Sequence, residues 1–193
     1  MLKAHDLSVG DHVKLAELRV PIAKNERQRL KVLRQTTVMS GSSVGLDFDS
    51  HVSLLSRVLK VSFAIYSFFL MVDIIFLCVL QAPMALVTFV DVNTVGIKSK
   101  VGLTANCFHR NNAFCSYLMP EDAPSILVIP DVSKDSRFLD NPLHIDSGIN
   151  FYAGAALTCR GVRLGAVCIF DCQARTDFDE RKQAILFDMA SII

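Results

Sequence analysis

The sequence lacks a charge excess of either sign: 20 Lys and Arg face 19 Asp and Glu, leaving a net charge of +1. That balance supplies no electrostatic drive toward nucleic acid or an anionic membrane, so neither is an expected partner. It also lacks any CxxC pair or metal-ligand spacing among Cys78, Cys107, Cys115, Cys159, Cys168 and Cys172. No metal site is expected on that pattern. The opening residues, Met-Leu-Lys-Ala-His-Asp, lack the apolar stretch of a secretory signal. The expectation is therefore a cytoplasmic protein with reduced thiols, most of them packed as small hydrophobes.

What is present fits one domain with a sizeable core, at 193 residues. The 51% apolar content is slightly high for a soluble domain, and much of the excess sits at Val61–Leu80, where Asp73 is the only charge. Residues 1–24, with Gly10 and Pro21 and no sustained period, read as a leader or linker. Asn25 to Leu33 reads as the start of a helix, with Leu30 and Leu33 inward and Arg27, Arg29, Lys31 and Arg34 exposed. Thr36–Ser43 is a loop by composition, and Phe48, Val52, Leu55 and Val58 recur at helical spacing, capped by Asp47 or Asp49.

Further on, Met84–Val90 is β-type and turns at Asp91-Val92-Asn93 into Val95–Lys100. Asn111–Leu118 is a short helix and Ile126–Ile129 a brief buried strand. Phe151–Thr158 and Val162–Phe170 form a hairpin turning at Arg160-Gly161. Asp177 with Glu180 has the spacing that caps a closing helix, whose face is Ile185, Leu186, Met189, Ile192 and Ile193. That face is still running at the last residue, with no stop signal. This order of elements predicts an α+β fold with an antiparallel sheet and helices beside it.

Six ordered blocks then resemble GAF domains: Val101-Gly102-Leu103, His109–Cys115, Leu127–Asp131, Asp135–Pro142, Phe151–Ala155 and Leu164–Asp171. Phe48-Asp49 and Ala82–Asp91 match the same pattern upstream, so residues 25–193 read as one GAF domain of the type found in sensor histidine kinases and stand-alone GAF proteins. The resemblance implies a central antiparallel sheet flanked by helices, with a pocket between sheet and helical loops. That pocket binds a small molecule in some members and is a packed interface in others. It further implies a non-enzymatic, ligand-sensing or dimerising module that relays conformational change through its terminal helices to an effector, domain or protein. A homodimer is compatible with it; no cofactor is specified.

The candidate pocket residues are Phe114, Cys115, Asp131, Arg137, Asn141 and Tyr152. Arg137 can grip an anion bidentately, or tie its loop down with Asp131 or Asp140 as partner; both readings stand. Cys115 lies where GAF relatives line the pocket. Bilin-binding members carry the chromophore on a cysteine commonly followed by histidine, whereas Ser116-Tyr117 follows here, and no covalent chromophore is expected. His109 or Arg110 can lower the Cys115 thiol for redox sensing, against plain packing. Tyr152 is a hydrogen-bonding or a core aromatic, and Gly154 marks close approach of a neighbouring backbone. Phe178-Asp179-Glu180 matches only the end of the cyclic-nucleotide motif of some GAF domains and lacks its upstream Asn-Lys, so that ligand is not expected. A second reading is a GAF enzyme that reduces free methionine sulfoxide, suggested by Cys107 and Cys115.

Val61–Leu80 is 20 residues long, the length of a membrane span. A membrane-tethered sensor is the third reading. The context argues against it, because a span would put consecutive elements of one domain on opposite sides of a bilayer. Val-Ser can be written GTA-AGT and Leu-Gln TTG-CAG, the usual ends of an intron, with T-rich codons between. Removing Val61–Gln81 keeps the frame and joins Lys60 to Ala82. The segment is therefore expected to be a translated intron in a eukaryotic gene.

Overall fold

The computed structural model describes residues 17–35 and 80–192. The leader before residue 17, the loop 36–43, the helix 48–60 and the apolar stretch 61–79 lie outside the described residues. Among the described residues no helix is long and apolar enough to cross a membrane.

Six strands form one antiparallel sheet: β1 Met84–Val90, β2 Thr94–Val101, β3 Cys107–His109, β4 Ile126–Ile129, β5 Phe151–Cys159 and β6 Val162–Asp171, in the order β3-β2-β1-β6-β5-β4. With helices α1 Glu26–Gln35, α2 Pro142–Ile145 and α3 Glu180–Ile192 beside it, this is the α+β architecture expected. β1 and β6 hold the centre, and both are nearly continuous runs of buried residues, as strands covered on two faces should be. The β5–β6 hairpin closes through Arg160-Gly161, with φ of 51° and 76°. Two consecutive positive φ values make the turn whose twist matches its strands.

The sheet separates two cores. On one face Leu30 and Leu33 of α1 and Leu186, Met189 and Ala190 of α3 pack against Val87, Phe151, Val167 and Ile169. On the other, Phe114, Cys115 and Leu118 join Leu86, Phe138, Tyr152, Cys168 and Phe170 beneath the loops. This second face carries the candidate site.

Several local expectations change. The helix expected over Asn111–Leu118 is two 3-10 turns, Arg110–Asn112 and Phe114–Leu118, because Ala113 between them is extended (φ −90°, ψ 119°). The cap of α3 is Asp179, whose Oδ1 accepts from the Lys182 amide at 2.9 Å; Asp177 instead accepts from Lys182 Nζ at 2.5 Å. The buried stripe of α3 is Leu186, Met189 and Ala190, which follows i, i+3, i+4 spacing, and Ile192 is 67% exposed. Ile193 lies outside the described residues.

Arg29, expected outside, is 0% exposed. Its Nε and Nη2 bond the two carboxylate oxygens of Glu26, and Nη1 donates to Val90 O. Gly154 makes room for a side chain where a neighbouring backbone was expected. A Cβ there would lie 2.1 Å from Tyr152 Oη and 3.2 Å from Leu118 Cδ1. The Tyr152 ring is stacked on Phe114 at 5.1 Å and cannot swing aside. Gly154→Ala is thus expected to cost about 1–3 kcal/mol by overpacking. Urea unfolding measures it; an unchanged midpoint would contradict the packing described.

Candidate functional site

Two clefts open on the loop side. The larger, about 490 Å³, is polar and lies between the 3-10 turn at Arg110–Asn112 and the loop Arg137–Pro142, with Arg19, Asn93, His109 and Tyr117 on its walls. The smaller, about 250 Å³, lies between the sheet and the loop after β2; Leu86, Leu103, Phe108, Ile149 and Phe170 make it apolar. Lys100 Nζ holds that loop by donating to Thr104 O, Ala105 O and Asn106 Oδ1 at 2.8, 2.9 and 2.6 Å.

Local sequence explains the walls of the polar cleft. Asn141 caps α2, its Oδ1 accepting from Leu143 N at 2.9 Å, while its Nδ2 donates to Asn112 O at 3.0 Å. One amide therefore ties the two walls together. His109 Nδ1 accepts from Asn111 N at 3.2 Å, and Asn111 Oδ1 accepts from Arg19 N at 2.8 Å. The stretch 17–25 is strapped down further along, where the Glu121 carboxylate accepts from Lys24 N and Asn25 N at 3.1 and 3.0 Å.

Arg137 is 45% exposed at the side chain and takes neither expected acid as partner. Its Nε and Nη2 grip Asp135, at 2.9 Å to Oδ1 and 2.5 Å to Oδ2. The local hydrogen bond to Arg137 holds the Asp135 carboxyl below its ordinary value. The guanidinium also lies over the rings of Tyr117 and Phe138, at 5.5 and 5.0 Å. Asp131 points elsewhere: it caps the 3-10 turn Val132–Lys134 through Ser133 N and pairs with Lys134.

The six candidate residues are thus distributed over three places. Arg137 and Asn141 line the polar cleft. Phe114, Cys115 and Tyr152 are buried beneath it in the loop-side core. Asp131 belongs to its own turn. Cys107 is exposed on β3 while Cys115 is buried, so the two cysteines that suggested a reductase are separately placed.

Sequence reasoning missed the residue that links this region to α1. Arg110, between cleft-lining His109 and Asn111, is fully buried, and its Nη1 pairs with Glu26 Oε1 at 2.5 Å. Burial alone would raise the Glu26 carboxyl, but hydrogen bonds from Arg29 and Arg110 outweigh it and hold the group below its ordinary value. Burial pulls Arg110 below the usual arginine range. Its Nε and Nη2 are buried without a hydrogen-bond partner among the described residues. The sequence marked Arg110 as a group able to act on the Cys115 thiol and as part of the block His109–Cys115, but not as a partner of Glu26.

This architecture has counterparts among known proteins. Over 115 residues the chain is 32% identical to the cyclic di-GMP phosphodiesterase PA2567 of Pseudomonas aeruginosa, covering 58% of this chain and 19% of that protein. It therefore spans less than a fifth of that relative's length. The GAF domain region of a Geobacter sulfurreducens protein superposes with a TM-score of 0.50 at 14% identity, covering 69% of this chain and 94% of that one. Free methionine-R-sulfoxide reductase from Neisseria meningitidis gives 0.46 at 16% identity, covering 91% of each chain. The GAF domain profile itself matches residues 48–193, which includes all six strands and the whole of the apolar cleft, and so the chain belongs to the GAF domain family.

Proposed function

We propose that this GAF domain is a non-enzymatic sensory module that takes a small anionic molecule in the polar cleft and relays its presence to α1. One observation carries the reading. Arg110 sits between the cleft residues His109 and Asn111 and is salt-bridged to Glu26 on α1, so one side chain joins the cleft wall to a helix. Displacing the 109–112 segment moves a charge that α1 must follow or release, which is a physical coupling between two sites.

Arg137 supports the ligand class. Asp135 occupies the Nε and Nη2 edge, and Nη1 makes no hydrogen bond among the described residues. A carboxylate or phosphate can accept from that free donor. The larger protein to which such a module answers, and any partner copy, belong to the same proposal.

A thermal-shift screen of small carboxylates and phosphates tests it. A ligand at about a hundredfold over its Kd adds about 2.7 kcal/mol, a rise of about 5–10 °C for a chain of this size. Arg137→Ala is expected to abolish that rise while leaving the unliganded transition in place, since an exposed ion pair contributes at most about 1 kcal/mol. A compound that stabilises both proteins equally would place the site elsewhere.

A further inference from the structure

The loop-side core is more polar than packing needs. Thr88 Oγ1 lies 3.6 Å from Cys115 Sγ and 3.9 Å from Cys168 Sγ, and donates to Ala166 O at 3.1 Å. Tyr152 Oη lies 3.4 Å from Cys168 Sγ. The four side chains come from β1, β5, β6 and the 3-10 turn Phe114–Leu118, and all are buried. Four apolar residues would fill the same space without polar atoms to satisfy.

A second, independent oddity adjoins them. Arg29 and Arg110 are both fully buried, yet Glu26 is the only carboxylate bonded to either among the described residues. Among the described residues one positive charge is left without a counter-ion, and two Arg110 donors have no acceptor. That charge reaches Cys115. A hydrogen bond from Cys168, then bonds from Thr88 and the attraction of Arg110, hold the Cys115 thiol below its ordinary range despite burial. Burial pushes Cys168 well above it. A buried guanidinium with unpartnered donors favours a thiolate at Cys115, and Cys168, which shares Thr88 Oγ1 with it, is placed to close on it.

We propose that Cys115 and Cys168 are a hydroperoxide-oxidisable pair, with Cys115 the attacking thiolate and Cys168 the thiol that closes the disulfide. The Cys115 sulfur attacks one peroxide oxygen and the O–O bond breaks, giving a sulfenic acid and hydroxide, which takes a proton from solvent. Cys168 sulfur then attacks Cys115 sulfur, forming the S–S bond. The departing hydroxide takes the Cys168 proton and leaves as water. The two thiols supply the two electrons, and hydrogen peroxide becomes two waters. Entry is through the apolar cleft, whose lining includes Leu86, the register partner of Cys168, and Phe170 two residues further along β6. A small uncharged oxidant can pass such a wall where a charged reagent cannot.

The test is hydrogen peroxide on the full chain, followed by peptide mapping. The expected product is a Cys115–Cys168 link, with both thiols lost to titration after denaturation. Cys168→Ser should stop at a Cys115 sulfenic acid that dimedone traps, and Cys115→Ser should leave Cys168 reduced. Cys107 and Cys172, both exposed, report that the treatment worked. The idea fails if Cys115 stays reduced after those two are oxidised. A Cys115 sulfenic acid that persists in the wild-type chain without linking to Cys168 overturns it equally.

Discussion

Replacing Glu26 with alanine should destabilise the domain by about 3–5 kcal/mol, the cost of stranding buried charge. Total stability for a domain is about 5–15 kcal/mol, so this loss removes a large share of it. The reason is arithmetic at one carboxylate. Glu26 serves Arg29 through two bonds and Arg110 through a third, and both guanidiniums are fully buried. Removing it leaves two buried cations and, among the described residues, no carboxylate bonded to either. The pH dependence carries the same signature. The Glu26 carboxyl is depressed in the folded state, so its contribution is complete above the ordinary value of 4.5 and disappears as pH falls through its folded value. Urea unfolding at neutral pH should show the full difference between the two proteins, and the difference should narrow in acid. A variant within about 0.5 kcal/mol of the wild type at neutral pH, the range of ordinary surface changes, would refute this account.

Deleting Val61–Gln81 is the second large effect, in the opposite direction. We infer that these residues are absent from the working protein. At the edge of the segment Leu80 is fully buried in the helix-side core and Gln81 is exposed, with φ of 49°. Arg175 donates to the carbonyls of both, at 3.0 Å for Leu80. Joining Lys60 to Ala82 places Leu59 where Leu80 stands and Lys60 where Gln81 stands. Leucine replaces leucine in the core, one long polar side chain replaces another outside, and the Arg175 acceptors are backbone atoms that any residue supplies. The shortened chain should therefore keep its thermal transition and stay monodisperse. The longer one must cover a 20-residue apolar stretch, and is expected to aggregate when expressed alone. A shortened chain that fails to fold, or a native transcript retaining these codons, would end the inference.

Legibility in the sequence followed the kind of signal. Met84–Val90 and Ile126–Ile129 were readable to the residue because both are apolar runs, broken only by Thr88; the burial expected of Ile126–Ile129 holds only for Ile129, since the strand lies at the edge of the sheet. The hairpin was readable because Arg160-Gly161 sits between two such runs. β3 was not, since three residues, Cys107–His109, carry no period. Arg29 misled because a charged residue on an apolar helix is ordinarily solvated, and only its partners Glu26 and Val90 O reverse that. At the site, Arg137 and Asn141 could be named from their loop, but whether they share a wall with Phe114 or Tyr152 depends on strand register. The polar cleft is built by 3-10 turns and caps, whose side-chain bonds have no sequence period. Arg110, the residue that ties it to α1, needs a partner 84 positions away.

The ends of the strand order have one further consequence. The two outermost strands, β3 and β4, are three and four residues long, while the strands between them have seven to ten. An edge that short offers little template for an incoming strand. Extension of this sheet into a neighbouring molecule is therefore poorly supported at both borders. Among the described residues, a second copy or an extended peptide is better met through the helical face or the loops. Association would then leave the hydrogen-bond ladder of the sheet untouched.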